Sequence, residues 1–134
     1  MRRRLLDTQV LISFWHRERR RTPPPHNPED VEAWARKVIS AHDTNAIATP
    51  VFLEFIAGVT SAEEMRLALS FLAPFKIIDE GNIPKADWEE AERIAKRVSR
   101  NTKRRQLGDC LIRAIANRLK YEVAPTGDKG FPRG

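Results

Sequence analysis

Four acidic residues lie in surroundings where a charge is costly. They are Asp7, Glu54, Asp109 and Asp128. Asp7 and Glu54 are each the only charged residue of a long apolar stretch, Asp109 borders the apolar face of a predicted helix, and Asp128 directly follows a predicted strand. Because a carboxylate buried without a partner is strongly unfavourable, buried acids are normally paired or bind metal.

Each acid taken singly has an ordinary explanation. The chain has 24 basic residues with which an acid could pair, and Asp109 could simply interact with the positive end of its helix dipole. Four acids converging on one place are harder to explain in that way. Carboxylate oxygens are the ligands that Mg²⁺ and Mn²⁺ prefer, so the sequence predicts a divalent-metal site.

Short strands that alternate with helices must position these acids. Strands are expected over 3–7, 46–49, 75–78 and 122–126. The alternation predicts an α/β fold with a parallel sheet covered on both faces. In such sheets ligands bind outside the carboxyl ends of the strands, and each acid is predicted at such an end or in a helix beside one.

Hydrophobic periodicity predicts the helices and their buried faces. Helices are expected over 8–15, 28–39, 51–57, 62–72, 84–100 and 106–120. The inner stripe of the fourth is predicted as Met65, Ala68, Leu69 and Leu72, and that of the fifth as Trp88, Ala91, Ala95 and Val98. The segment 17–25, a basic run followed by three prolines, is expected to form an exposed loop because consecutive prolines cannot continue a helix.

Length and composition indicate one soluble domain over 1–134. The single cysteine, Cys110, excludes a disulfide within the chain and favours a reducing cytoplasm. No segment approaches the roughly 20 apolar residues that span a bilayer. The net charge of +6 favours a polyanionic partner, although many basic proteins bind no nucleic acid.

The segments around the four acids resemble the motifs of the PIN-domain ribonucleases, especially the small VapC-type toxins. The four motifs are Leu-Leu-Asp-Thr-Gln at Asp7, Thr-Pro-Val-Phe-Leu-Glu-Phe-Ile at Glu54, Asp-Cys-Leu-Ile-Arg-Ala at Asp109, and Thr-Gly-Asp-Lys-Gly-Phe at Asp128. Their order and spacing fit the family over essentially the whole chain.

The resemblance implies a three-layer α/β/α sandwich around a mainly parallel sheet of four to five strands. It also implies Mg²⁺- or Mn²⁺-dependent hydrolysis of RNA phosphodiester bonds, frequent homodimerisation and, in toxins, an inhibiting antitoxin protein. Asp7, Glu54 and Asp109 would be the principal metal ligands, and Asp128 would hold a second metal or orient the nucleophile. Thr8 and Thr126 could support the carboxylates, although capping and turn roles are equally open.

Other residues receive lesser roles. The candidates for contact with the RNA backbone are Arg17, Arg104 and Arg105, against the alternative of a solvated basic face. The three histidines are expected at the surface, and Cys110 as a packing residue. Trp34 and Trp88 are expected in the core, as is Trp15, with stacking on a base as its alternative.

Two other functions remain open on the sequence. One is a catalytically silent PIN-like module that binds RNA or scaffolds a complex. The other is a metal-dependent DNA nuclease with the same acidic site. The presence of all four acids favours an enzyme, because a silent member would be expected to lose some of them.

Overall fold

The computed structural model describes residues 3–97 and 107–124, which form four strands and six helices. The strands are β1 (Arg4–Leu5), β2 (Ala46–Ile47), β3 (Lys76–Ile77) and β4 (Glu122–Val123). The helices are α1 (Thr8–Arg21), α2 (Pro28–His42), α3 (Thr49–Ala57), α4 (Ala62–Leu72), α5 (Lys85–Arg97) and α6 (Leu107–Leu119). The strands are shorter than the sequence predicts, but each lies inside its predicted segment.

The four strands form one parallel sheet in the order β3-β2-β1-β4. Leu5 of the central strand β1 is in register with Ala46 on one side and Val123 on the other. The six helices flank this sheet, so the predicted α/β sandwich is confirmed. All four strands run in the same direction, and their carboxyl ends therefore share one edge of the sheet.

The core is built from the buried strands and an aromatic cluster between the helices. Leu5, Leu6 and Ile47 are fully buried. The ring of Trp15 makes edge contacts with Trp34, Phe55 and Phe71, and such pairs stabilise a core beyond the apolar area that they bury. Trp15 and Trp34 are thus core residues, as predicted.

The basic run after Trp15 is helical, which corrects the predicted loop at 17–25. Helix α1 continues to Arg21 and ends at Thr22, which is extended, because a residue before proline disfavours the helical conformation. Buried Glu18 accounts for part of the difference, since its carboxylate pairs with Lys37 of α2 and with Arg21. The basic side chains at the end of α1 also suit the negative end of its dipole.

Two predicted helix faces are wrong in part. In α4, Leu69 is 46% exposed and Met65 is half-buried, while Leu67 and Phe71 face the core. In α5, Trp88 is 48% exposed, and the buried stripe is Asp87, Ala91 and Ile94. The predicted core residue Ala95 is exposed, and Val98 lies outside the described residues.

A buried ion pair explains the face of α5. Asp87 is 2% exposed, and both its oxygens accept from Arg118 Nε of α6, at 2.8 and 3.0 Å. The hydrogen bond to Asp87 is the main cause that raises the pKa of Arg118 above its usual value. A hydrophobicity pattern cannot anticipate a charged residue on the inner face of a helix. The pattern therefore placed Trp88 in the core in place of Asp87, and the predicted buried face was displaced by about one residue.

Two of the three histidines are less exposed than predicted. His26 is half-buried, its ring lies edge-on to Trp34, and its Nε2 is 2.8 Å from the carbonyl oxygen of Thr22. His42 is also half-buried, and desolvation, followed by the charge of Arg4, lowers its pKa. Only His16 is fully at the surface. Within the described ranges, no helix combines the length and apolar character needed to cross a membrane.

Candidate active site

Asp7 lies between strand β1 and helix α1, at the carboxyl edge of the sheet. It is 7% exposed and is the N-cap of α1, where its Oδ1 accepts from the backbone N–H of Gln9 at 3.2 Å. Aspartate is favoured there because its oxygen satisfies one of the unpaired N–H groups of the first turn. Asp7 therefore caps helix α1, and this cap fixes it at the sheet edge.

Glu54 projects from the middle of helix α3, which begins two residues after β2. Its Oε1 accepts a hydrogen bond from the Thr8 hydroxyl at 2.7 Å. Thr8 is itself buried in the first turn of α1. This bond joins Glu54 to the residue next to Asp7, so the first two predicted acids share the same edge of the sheet.

Gly108 brings the first turn of helix α6 against Glu54. A Cβ atom built on Gly108 would clash with the Glu54 carboxyl group, at 2.6 Å from Cδ and 2.7 Å from Oε1. Real Cβ atoms essentially never approach other heavy atoms so closely. Only glycine allows the carboxylate to occupy this position, and the next residue along α6 is Asp109, which is half-buried.

The carboxylates of Asp7 and Glu54 therefore lie at one edge of the sheet, beside the first turn of α6 that carries Asp109. Their oxygens are the hard donors that suit Mg²⁺ or Mn²⁺. No group of three or more His, Cys, Asp or Glu side chains within 3–97 and 107–124 is arranged to hold a metal ion. Magnesium commonly uses only one or two carboxylates besides water and substrate phosphate, so the chemistry of the donors fits a divalent ion.

Of the remaining predicted residues, some lie in the part of the chain that the structure describes and some lie outside it. Arg17 is exposed on α1, and its guanidinium lies 4.7 Å from the ring centroid of Phe14. It is ten residues from Asp7, which corresponds to about 15 Å along a helix. Four predicted residues lie outside the described part of the chain: Arg104, Arg105, Thr126 and Asp128. Cys110 is 2% exposed and packs in the core, as predicted.

The sequence-based prediction missed two residues near this edge. Gly108 precedes Asp109 at the start of a helix, a position where a glycine already suggests a close approach. Asp79 follows β3 in the run Lys-Ile-Ile-Asp, much as Asp7 follows β1 in Arg-Leu-Leu-Asp. It is 6% exposed, and that parallel is the signal that would have identified it.

Comparison with known proteins agrees with this architecture. A protein-family model described as "PIN domain" matches residues 4–134. A search among curated proteins finds no match to the chain. The family model covers nearly the full length of the chain, including all the strands and helices that the structure describes. The chain therefore belongs to the PIN-domain family, whose members are generally metal-dependent nucleases.

Proposed function

We propose that this protein is a divalent-metal-dependent endoribonuclease whose active site contains Asp7, Glu54, Asp109 and Asp128. The observation that carries the proposal is the environment of the Glu54 carboxylate. It is hydrogen-bonded by Thr8, next to Asp7, and lies against Gly108, next to Asp109. These contacts support an acidic site at the sheet edge where parallel α/β folds bind ligands.

The chain's own residues have definable tasks in this reaction. Asp7 and Glu54 are held in fixed positions, by the start of α1 and by the Thr8 hydroxyl respectively. An ionised carboxylate has acceptor sites beyond one hydrogen bond, so Glu54 can accept from Thr8 and still offer oxygen to a ligand. A bound Mg²⁺ or Mn²⁺ would supply a more acidic water and stabilise charge on the phosphate. Asp109 and Asp128 complete the proposed acidic set.

RNA is proposed as the substrate on the net charge of +6 and on the resemblance to VapC-type toxins. Basic residues at Arg17, Arg104 and Arg105 are proposed to contact the phosphate backbone, since Lys and Arg neutralise phosphates. A toxin role in the cytoplasm, with an antitoxin protein as inhibitor and assembly as a homodimer, belongs to the same proposal. These features rest on the four motifs.

Metal dependence tests the proposal. The purified protein, exhaustively dialysed against EDTA, should cleave single-stranded RNA when Mg²⁺ or Mn²⁺ is restored and should be inactive without them. Single-stranded DNA of the same sequence serves as the second substrate in each reaction. Full RNA cleavage in EDTA would contradict the metal site, whereas metal-dependent cleavage of DNA alone would establish a DNA nuclease.

A control variant excludes a contaminating nuclease. Glu54→Gln, purified in parallel, keeps the size of the side chain and an oxygen acceptor for Thr8 but loses the charge. Because an amide is a poor ligand for Mg²⁺, this variant should lose cleavage while its thermal melt stays close to that of the wild type. Equal RNA cleavage by both preparations would show that the cleavage does not come from a site that contains Glu54.

A further inference from the structure

A buried carboxylate on the neighbouring strand holds the start of the helix that carries Glu54. Asp79, two residues after β3, accepts a hydrogen bond through Oδ1 from the backbone N–H of Thr49 at 2.8 Å. In return, the Thr49 hydroxyl oxygen accepts from the backbone N–H of Gly81 at 3.1 Å. These two bonds clamp the turn after β3 to the first residue of α3, and we call them the Asp79–Thr49 clamp.

Helix α3 depends on such an anchor because its own sequence gives it no cap. Its N-cap is Ala48, which makes no side-chain capping bond, although the first N–H groups of a helix need external acceptors. Asp79 provides an acceptor and a negative charge at the positive end of the dipole. The helix has nine residues, a length that is not stable in isolation, so its position depends on contacts made by its ends and its inner face.

The form of the clamp favours a role in positioning over simple stabilisation. The second oxygen of Asp79, Oδ2, is buried and has no hydrogen-bond partner among the residues that the structure describes. A buried polar atom without a partner costs stability. The clamp therefore holds the start of α3 at some cost in stability, which favours a role in positioning.

The charge of Asp79 also acts on an ion pair between α5 and α6. Arg118 of α6 pairs with Asp87 of α5, and the negative charge of Asp79 adds to the effect of Asp87 in raising the pKa of Arg118. Asp79 is thus hydrogen-bonded to α3 and lies within electrostatic range of Arg118 on α6.

We infer that Asp79 is a positioning residue for Glu54. It fixes the first turn of α3 to the end of β3, so that the Glu54 carboxylate meets the Thr8 hydroxyl and Gly108. The anchoring of helix α3 by Asp79 does not depend on the function of the site. The expected effect of Asp79 on catalysis rests on the proposed nuclease function.

Amide hydrogen exchange and RNA cleavage, measured on the same variants, test this role. Asp79→Ala should accelerate exchange of the Thr49, Val51 and Phe52 amides by about tenfold or more, because the first turn loses its anchor. It should lower kcat by about 10- to 100-fold with KM little changed, since a small displacement of a reacting group is sufficient for such a loss. Asp79→Asn keeps an oxygen acceptor for the Thr49 N–H and should restore both quantities to near wild type.

A second helix cap provides the matched control. Asn27→Ala removes the side-chain cap of α2, where Asn27 Oδ1 accepts from the Asp30 N–H at 2.9 Å. It should lower Tm comparably to Asp79→Ala without changing exchange in α3 or kcat. If Asp79→Ala does not fold, Thr49→Val removes only the acceptor of the Gly81 N–H and should accelerate the same amides to a smaller extent.

The outcomes separate this inference from the proposed function. A drop in Tm for Asp79→Ala with unchanged exchange in α3, or a failure of Asp79→Asn to restore exchange, would overturn the positioning role. If the exchange pattern is as expected but the wild type cleaves no RNA, the anchor of α3 is supported and the nuclease function is refuted.

Discussion

Gly108→Ala should abolish most RNA cleavage while the protein stays folded with an unchanged or raised Tm. The added Cβ would occupy the space of the Glu54 carboxyl group, so that group must move by about 1 Å or more and lose its bond to Thr8. Displacement of this order costs about 100-fold in rate. Folding should tolerate the change, because the clashing atoms are the end of a flexible side chain and Ala favours helix over Gly by about 0.8–1 kcal/mol.

Gly58→Ala is the matched control, at the carboxyl end of the helix that carries Glu54. A Cβ there would lie 3.7 Å from the Phe55 carbonyl oxygen, an ordinary contact. This variant should cleave RNA at nearly the wild-type rate. A Gly108→Ala protein that retains full activity would show that the position of Glu54 against α6 is unimportant, and one that does not fold would show that the carboxylate cannot move.

Asp7→Asn should lower RNA cleavage by about 100-fold or more and leave the fold intact. The structure gives Asp7 two separable roles, the cap of α1 and a candidate metal ligand. Asparagine caps helices about as well as aspartate, so the bond to the Gln9 N–H is retained while the charge is lost. In metal-free buffer Tm should stay unchanged or rise, because one of several neighbouring negative charges is removed.

Two further variants complete this test. Asp7→Ala removes the cap as well and should cost about 0.5–2 kcal/mol of stability. Asp30→Asn makes the same chemical change at the capping box of α2, away from the site, and should alter neither cleavage nor the effect of Mg²⁺ on Tm. A destabilised Asp7→Asn protein that cleaves at the wild-type rate would remove Asp7 from the site.

The regular parts of the fold could be predicted from the sequence, because each follows from a local pattern. The strand-helix alternation predicted the parallel sheet, and the helix predicted over 28–39 lies within α2. The errors arose where contacts between residues far apart in the sequence determine the local structure. Burial of Asp87 depends on Arg118, 31 residues away, and the continuation of α1 through the basic run is stabilised by the pairing of Glu18 with Lys37.

The candidate site was predicted by residue type but not by its supporting contacts. Asp7 and Glu54 were found as lone charges in apolar segments, and the structure joins them through Thr8. Gly108 and Asp79 were missed because their roles depend on which helix or strand approaches them in space. Each residue carries a local signal, a glycine at the start of a helix and an acid directly after a strand, but only the tertiary structure shows what each one contacts.

Calorimetric titration of Mn²⁺ into the metal-free protein tests the central claim most directly, because it requires neither a known RNA target nor turnover. The wild type should give a saturable heat of Mn²⁺ binding. Both Asp7→Asn and Glu54→Gln should abolish this binding, while Asp30→Asn binds Mn²⁺ as the wild type does. Binding of Mn²⁺ that is the same in all four proteins would contradict an acidic metal site at this edge of the sheet.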